Sequence, residues 1–466
     1  MVTAKYDWDS VLAQGVEKIR QAKRSQVVVD TRFFSQEIRM EEREAMLAAG
    51  QNPDTMMGQA ELLCRMAERI PLSLFPGAAV AGDQDCAFSP SYALINPSFQ
   101  VETFAGYCDP TAMYSDIAPR AEAGITQARI DKVRGYWEKA AYTRRLADVY
   151  KEGADEMREV AYFVEPVTGH TIPDFRPILR QGIAEVQRQA IAKGGEARQA
   201  MARSLDAALI LAKRYRALAE EEEKKAISEG DKERFRRMAD ALYHVPAEGA
   251  KTLHEAVQSF LMLWQAMVLE QAPNPYAFSV GNLDRILNPY YDSTRESDAE
   301  AVQLVRNLLC FFEVGSRCWA ISQNLMVGGR DALGKDLTNP MTFIVLEAFF
   351  QTNDPQPALS VKLHANTPQS VYESLGRFFF TPGQLTPSLF NDDTVFPLLA
   401  RQGVASEDLA DYSIAGCQEP LIMGKASLNT TNTWLNLAKV LELALNDGKS
   451  TLTGKQIGLT WKELGF

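Results

Sequence analysis

The chain has 466 residues, 46% hydrophobic and 23% charged, and its 49 basic and 60 acidic side chains leave a formal net charge of −11 at pH 7. Such a balance describes a soluble globular protein of one large or two to three ordinary domains. Its acidic sign argues against nucleic acid or an anionic membrane as partner, since both need a basic face. No apolar run reaches the roughly 18 to 20 residues that cross a bilayer. The start "MVTAKYDWDSVLAQG" lacks the basic, apolar and cleavage segments of a signal peptide, so the expected location is cytoplasmic.

In chain order, "TRFFSQEIRMEEREAMLAAG" and "GQAELLCRMAERI" carry apolar residues at helical spacing, with Gly50 a stop. Between about 71 and 120, Pro, Gly, Ser and Asp break the periodicity and irregular structure is expected. Helical spacing returns over 122–165, and "GHTIPDFRPILRQGIAEV" reads as a turn and a helix. One long amphipathic helix is predicted over 185–228, its "EEEEKK" run a solvated face, and a further helical block over 231–271 breaks near Pro246. After residue 300, short strand-like runs ("QNLMVGG", "PALSVKLH", "QLTPSLF") alternate with helical ones ("PMTFIVLEAFFQ", "SVYESLGRFFF", "DTVFPLLARQG"). That alternation predicts an α/β region of parallel strands with crossover helices and chemistry at the strand ends. The chain then stops just after "GKQIGLTWKELGF", and the sequence looks cut.

The six cysteines have no CxxC spacing and the four histidines are scattered, so free thiols are expected and no metal site. Cys64 and Cys310 sit on apolar helical faces as small hydrophobes. Cys417 differs. It lies in "DYSIAGCQEPLIMGKASLN", in a predicted loop between two helical elements, with Glu419 two residues on and Gly416 and Pro420 able to bend the backbone. A nucleophilic thiolate wants a basic neighbour, whereas Glu419 would raise the thiol pKa. A thiol that surrenders a hydrogen atom needs no ionisation, which leaves the carboxylate free to act as a general base. The pair therefore points to radical chemistry.

"GCQEP" resembles the G-C-x-E-P cysteine loop of the glycyl radical enzymes, the superfamily of pyruvate formate-lyase and the diol dehydratases. Further segments follow in the family's order: "GHTIPDF" with Gly182, "TLHEAVQSFLMLWQAM", "SVGNLDRILNPYY", "QNLMVGGRDALGKD", "PALSVKLH", "PSLFND" and "NLAKVLELALNDG". The resemblance spans about 160 to 450 clearly and the N-terminal helices more vaguely. It implies one incomplete pyruvate formate-lyase-type domain over 1–466. Residues 1–270 would be mainly helical, and 271–466 would supply strands of a ten-stranded barrel of two parallel halves, with the cysteine loop inside. By the same resemblance Cys417 matches the thiyl cysteine and Glu419 the base that deprotonates a substrate hydroxyl while the neighbouring group leaves. No cofactor is bound directly. A protein glycyl radical, on a residue not in this chain, is installed by an S-adenosylmethionine iron–sulfur activating enzyme. The partners are that activase and a small-molecule substrate, and a homodimer is allowed.

Two departures qualify the match. Gln418 stands where pyruvate formate-lyase has a second cysteine, which disfavours acyl transfer from pyruvate. The family's R-V-x-G-Y radical glycine follows the cysteine, whereas the nearest string here, "KVRGYW" with Gly135, precedes it and reads as ordinary helix surface. The reaction implied is elimination from a small hydroxylated substrate, with arylacetate decarboxylation, or an inactive or partner-dependent scaffold, as alternatives. Candidate substrate contacts are Gln323 and Asn324 at a strand end, Thr430 and Thr431 after the cysteine loop, and His170, for which a turn-and-cap role is the plainer reading. The run "LNTTN" replaces the G-W-H-D of many dehydratases and puts glycerol and propanediol in doubt. Asn432 is a candidate N-cap, Ser388 and Asn391–Asp392 are expected to hold a strand end, and Lys425 to meet solvent.

Overall fold

Helices open where the sequence supplies a side-chain oxygen for the first free amides. A computed structural model describes residues 7–24, 31–82, 124–140, 159–163, 171–270, 278–312, 323–416, 419–426 and 433–466. It begins with α1 (Trp8–Arg24), α2 (Thr31–Ala48) and α3 (Met56–Arg69), the last capped by Thr55, whose oxygen accepts from the Gly58 amide at 3.0 Å. Then follow α4 (Gln127–Ala140), β1 (Ala161–Phe163), α5 (Arg176–Gln181), α6 (Ile183–Ala192), α7 (Glu196–Lys225), α8 (Glu229–His244) and α9 (Leu253–Glu270). The single helix predicted over 185–228 is thus two, parted at Gly194–Gly195. The break near Pro246 is present, and of 71–120 the described part, 71–82, holds neither helix nor strand.

The α/β region follows as β2 (Ser279–Asn282), α10 (Leu283–Leu287), α11 (Asp298–Phe312), β3 (Asn324–Gly328), α12 (Pro340–Thr352), β4 (Ala358–Leu363), α13 (Gln369–Phe380), β5 (Ser388–Asn391) and α14 (Asp392–Arg401). The four strands form one parallel sheet in the order β2-β3-β4-β5, as the strand–helix alternation requires. Leu325, Val327, Leu359 and Val361 turn one face into the main core, where Trp264 stacks on Phe260 (5.7 Å) and meets Phe312 edge-on (5.1 Å). Asn324, Met326, Ser360 and Lys362 share the other face by register. Met326 there packs with Tyr412, Ile414 and Ile422. Cys64 and Cys310 are buried as expected, and burial pushes the Cys64 thiol up to about 12.

Those last three residues belong to β6 (Tyr412–Ala415) and β7 (Glu419–Ile422), an antiparallel pair with Tyr412 opposite Ile422 and Ala415 opposite Glu419. The predicted loop between two helices is therefore a β-hairpin. Its strands are four residues each, too short for a period-2 pattern to stand out. Three closing elements follow: β8 (Thr433–Leu435), α15 (Leu437–Leu445) and α16 (Trp461–Leu464). The N-cap of α15 is Asn436, accepting from the Lys439 amide at 3.0 Å, whereas Asn432 lies outside the described residues.

The chain divides into two compact units, Met1–Ser89 with Gly169–Leu428, and Pro90–Thr168 with Asn429–Phe466. The first holds the parallel sheet and the hairpin. In the second, β1 pairs antiparallel with β8, and Glu159 meets Lys439 at 3.0 Å. Of the apolar stripe on α15 only Leu443 is buried; Leu437, Val440, Leu441 and Leu445 are exposed. In the first unit Phe380, Leu389 and Leu398 are exposed too, along α13, β5 and α14.

Two glycines frame a test of this fold. Gly182 joins α5 to α6 at φ 80°, and a Cβ there would lie 2.3 Å from the Ala247 carbonyl oxygen. Gly135 lies within α4, and no described residue stands within 4 Å of where its Cβ would be. Urea unfolding should show Gly182→Ala losing more than ~2 kcal/mol through clash and left-handed strain. Gly135→Ala should gain ~0.5–1 kcal/mol from helix propensity. Equal effects from the two would contradict the assignment.

Candidate active site

The hairpin is held at its base by charge. Asp411, just before β6, accepts from Arg176 Nη2 at 2.6 Å and Nη1 at 3.0 Å, and from Arg285 Nη1 at 3.3 Å. Arg176 is itself oriented by Asp174 at 2.8 Å, and Arg285 also donates to the Ala410 carbonyl at 2.7 Å. On the sheet side Lys362 Nζ donates to the carbonyls of Ala410 (3.1 Å) and Tyr412, and lies 3.9 Å from the centre of the Tyr412 ring. The Tyr412 hydroxyl donates to Asp392 at 2.6 Å, whose second oxygen accepts from the Arg330 amide at 2.9 Å. Asn282 donates to the Tyr412 carbonyl at 3.1 Å. The returning strand is tied by Met423 N–H to Asp411 O (3.1 Å) and Gly424 N–H to Ile172 O (2.8 Å). Lys362, Asp392 and Asn282 all stand at the carboxyl ends of parallel strands, where loops and ligands gather in such sheets.

The protonation of this cluster follows from its burial. Desolvation alone would raise the Asp411 carboxyl, but Arg176 and Arg285 hold it below the usual carboxylate range. Lys362 is fully enclosed, so desolvation, then Arg285, drive its pKa well below the usual ammonium value against the pull of Asp392, Asp284 and Asp411. Asp284 is raised by burial, although it accepts from the Gly328 amide at 2.8 Å and from Thr342 at 2.7 Å.

The residues singled out in the sequence are placed as follows. Glu419 is half-buried and opens β7 opposite Ala415. Cys417 and Gln418, in the three-residue connection 416–418, lie outside the described residues, and Gly416 before them has φ 61°, which suits a tight reversal. His170, Asn429, Thr430 and Thr431 also lie outside them. Gln323 and Asn324 are buried at the start of β3. Gln323 is bound through its backbone, its amide donating to Gln356 at 3.1 Å and its carbonyl accepting from Ala358 at 2.8 Å. Asn324 stands on the sheet face that carries Met326, and β6 packs against β2 and β3. Asn391 caps α14 and Asp392 holds the hairpin, as strand-end roles require; Ser388 is exposed. Lys425 is exposed and pairs with Asp408 at 2.6 Å. Among the described residues no cluster of three or more His, Cys, Asp or Glu could hold a metal ion.

The sequence reading missed the anchoring set: Arg176, Arg285, Lys362, Asp411 and Tyr412. One signal was available, a lysine at an interior position of "ALSVKL" on the same side as Ser360, where a solvent-facing charge fits a buried strand poorly.

Comparison with known proteins gives the family. A model of pyruvate formate lyase-like proteins matches residues 10–465. The chain belongs to this family. It is 24% identical over 374 residues to the isethionate sulfite-lyase of Desulfovibrio desulfuricans, covering 70% of this chain and 44% of that one. It is 28% identical over 278 residues to the trans-4-hydroxy-L-proline dehydratase of Clostridioides difficile, covering 56% and 35%. A glycyl radical enzyme from Archaeoglobus fulgidus superposes with a TM-score of 0.76 at 20% identity, over 96% of this chain and 60% of that one. The α/β fold is thus part of a glycyl-radical-enzyme barrel with its helical N-terminal portion. The chain spans less than half the length of these two curated relatives, which are a lyase and a dehydratase of small hydroxylated compounds.

The Asp411 clamp generates a prediction with a fixed sign. A carboxylate held below its unfolded pKa adds stability that is complete above the unfolded value and vanishes as pH falls through the folded one. Asp411→Asn should cost ~2–3 kcal/mol at pH 7, because Arg176 and Arg285 lose the carboxylate they share. The deficit should narrow below about pH 4. Chemical denaturation at pH 7 and pH 3.5 measures both, and a pH-independent deficit would refute the clamp.

Proposed function

We propose that this chain is the cysteine-loop portion of a glycyl radical lyase or dehydratase, with Cys417 as the hydrogen-atom relay and Glu419 as the base. The observation that carries the reading is the hairpin, anchored at the carboxyl ends of a parallel sheet in a pyruvate formate lyase-like chain, with Glu419 opening its second strand; in sequence, residue 417 falls between the two strands. Residues 1–466 are read as one incomplete domain of that type, helical to about 270. Its location is taken as cytoplasmic, and no helix among the described residues is long and apolar enough to cross a membrane.

This reading gives Gly135, an interior residue of α4, no radical role and puts the glycyl radical on a residue outside residues 1–466. When installed by a radical S-adenosylmethionine activase it supplies the one-electron oxidant. The Cys417 thiyl then takes a hydrogen atom from a substrate C–H, forming S–H and a carbon radical. Glu419 accepts the proton of the hydroxyl on that carbon, and the group on the adjacent carbon departs with its bonding electron pair. The product radical recovers its hydrogen from the Cys417 thiol. Gln323, Asn324, Thr430, Thr431 and His170 are the proposed substrate contacts.

A second reading, a scaffold that turns over only with further polypeptide, is favoured by the exposed apolar residues of α13, β5 and α15. Both readings put the radical residue outside residues 1–466, so a glycyl doublet from this chain alone after anaerobic activation, read by electron spin resonance, would sink both. In the completed enzyme, Cys417→Ser should abolish turnover without altering the melting temperature, since a serine O–H is too strong a bond for the relay. Glu419→Gln should retain hydrogen exchange into substrate while elimination falls ~10²-fold or more. Undiminished product from either variant would count against the roles, and carbon dioxide release from an arylacetate would favour decarboxylation.

A further inference from the structure

A cleft of about 800 Å³ opens in the first unit, walled by α1, the end of α8, the start of α9, the 289–296 segment and α11. It shares no residue with the hairpin or with the groups that anchor it. Its apolar side is made by Trp8, Leu12, Pro289 and Leu304. Its polar side is acidic: Asp240, Glu255, Asp292, Glu296 and Glu300 line it beside three cations, Arg237, Lys251 and Arg295.

The cations are already matched. Arg237 donates to Glu233 at 2.8 Å, lies 3.6 Å from Glu300 and covers the Trp8 ring, 4.1 Å from its centre. Arg295 lies 3.2 Å from Asp292, and Lys251 lies 3.9 Å from Glu248. His254 brings no charge at pH 7, because burial lowers its pKa. Its Nε2 donates to the Ala79 carbonyl at 2.9 Å, which leaves Nδ1 as an acceptor. Glu296 is the exception. It is half-buried, and the charges that act on it are Glu300 and Asp292, with no cation among them. Burial, then Glu300, push its carboxyl up to about 7 against a hydrogen bond from the Asp292 backbone. Glu300 is raised by burial too, with Asp9 adding to the effect and Arg237 opposing it.

We propose that this cleft binds a small organic ammonium ion, held by the neighbouring carboxyls of Glu296 and Glu300 with its carbon stem against Leu12, Pro289 and Leu304. The charges set the class. Two carboxyls short of one positive charge fit a cation, whereas an anionic ligand would meet five acids and only cations that are already paired. A metal ion is not matched, since among the described residues no group of three or more His, Cys, Asp or Glu could hold one. The apolar wall and the half-buried ring of Tyr290 suit a cation that carries carbon. Occupancy then follows the charge on Glu296. The groups around it are Asp292 and Arg295 on its own segment, Asp9 on α1, and Arg237 and Asp240 on α8. Lys251, His254 and Glu255 stand at the start of α9, and Glu300 on α11. The carboxylate prevails above about pH 7 and the neutral acid below it, so a cation is held more weakly as pH falls.

The test is isothermal titration of the whole chain with n-butylammonium chloride, n-butanol and sodium butyrate at matched ionic strength. The amine should bind saturably, and butanol and butyrate at least ~10-fold more weakly. Like a lysine, the amine stays charged from pH 6 to pH 8, so an affinity ~10-fold weaker at pH 6 reports Glu296. Glu296→Gln should abolish that pH dependence and weaken the amine at least ~10-fold at pH 8. It should also melt at or above the parent, because the repulsion with Glu300 is gone. Opposite signs in stability and binding are a signature that a structural carboxylate does not give. Glu229→Gln, the same change of charge at the other end of α8, should leave binding unchanged. The proposal is overturned by butanol or butyrate binding as tightly as the amine, or by no saturable binding. It is equally overturned by an amine affinity that Glu296→Gln or pH leaves unchanged, or by a Glu296→Gln variant that melts below the parent. None of these outcomes depends on Cys417 or Glu419.

Discussion

The central constraint is the clamp on residue 411. A hairpin of two four-residue strands cannot hold its own position, because an isolated two-stranded ribbon is marginal in water. Here the position is imposed from outside by Arg176 and Arg285 on Asp411, by Lys362 on the flanking carbonyls, and by Asp392 on the Tyr412 hydroxyl. Each partner comes from a different part of the first unit, so the hairpin is fixed only when α5, the end of β2 and the ends of β4 and β5 are all in place.

Such a cluster is a poor source of net stability and a good source of uniqueness. Removing several charges from water costs nearly what their attraction returns, while an apolar replacement would pack in many registers. With two-residue alternation, a slip of one residue in β6 would turn Ser413 toward the Met326 cluster and Ile414 away from it. Directional bonds at the base exclude that slip. The apolar residues Tyr412, Ile414 and Ile422 then supply the burial that directional bonds lack.

Much of the architecture was legible from local pattern. The helices around Leu62, Phe260 and Val345 carry apolar residues at the right spacing, and the strands around Leu325 and Val361 are short apolar runs between turn signals. The proposed Cys417–Glu419 pair could be singled out because its residues lie two positions apart in the chain. The hairpin was not, since Ser413, Ala415 and Gly416 have no strand preference and Pro420 argues against one. The clamp was less legible still. Arg176 and Asp411 are 235 positions apart, and nothing in either neighbourhood marks the other.

The hairpin is in mechanical terms a cantilever, fixed by ionic bonds at one end and closed by three residues at the other. Its root and its tip are separated by the length of β6, so a change at 416–418 leaves the root's bonds intact. A substitution near Gly416 is thus separable from the root, whereas one at Asp411 or Tyr412 releases both strands at once.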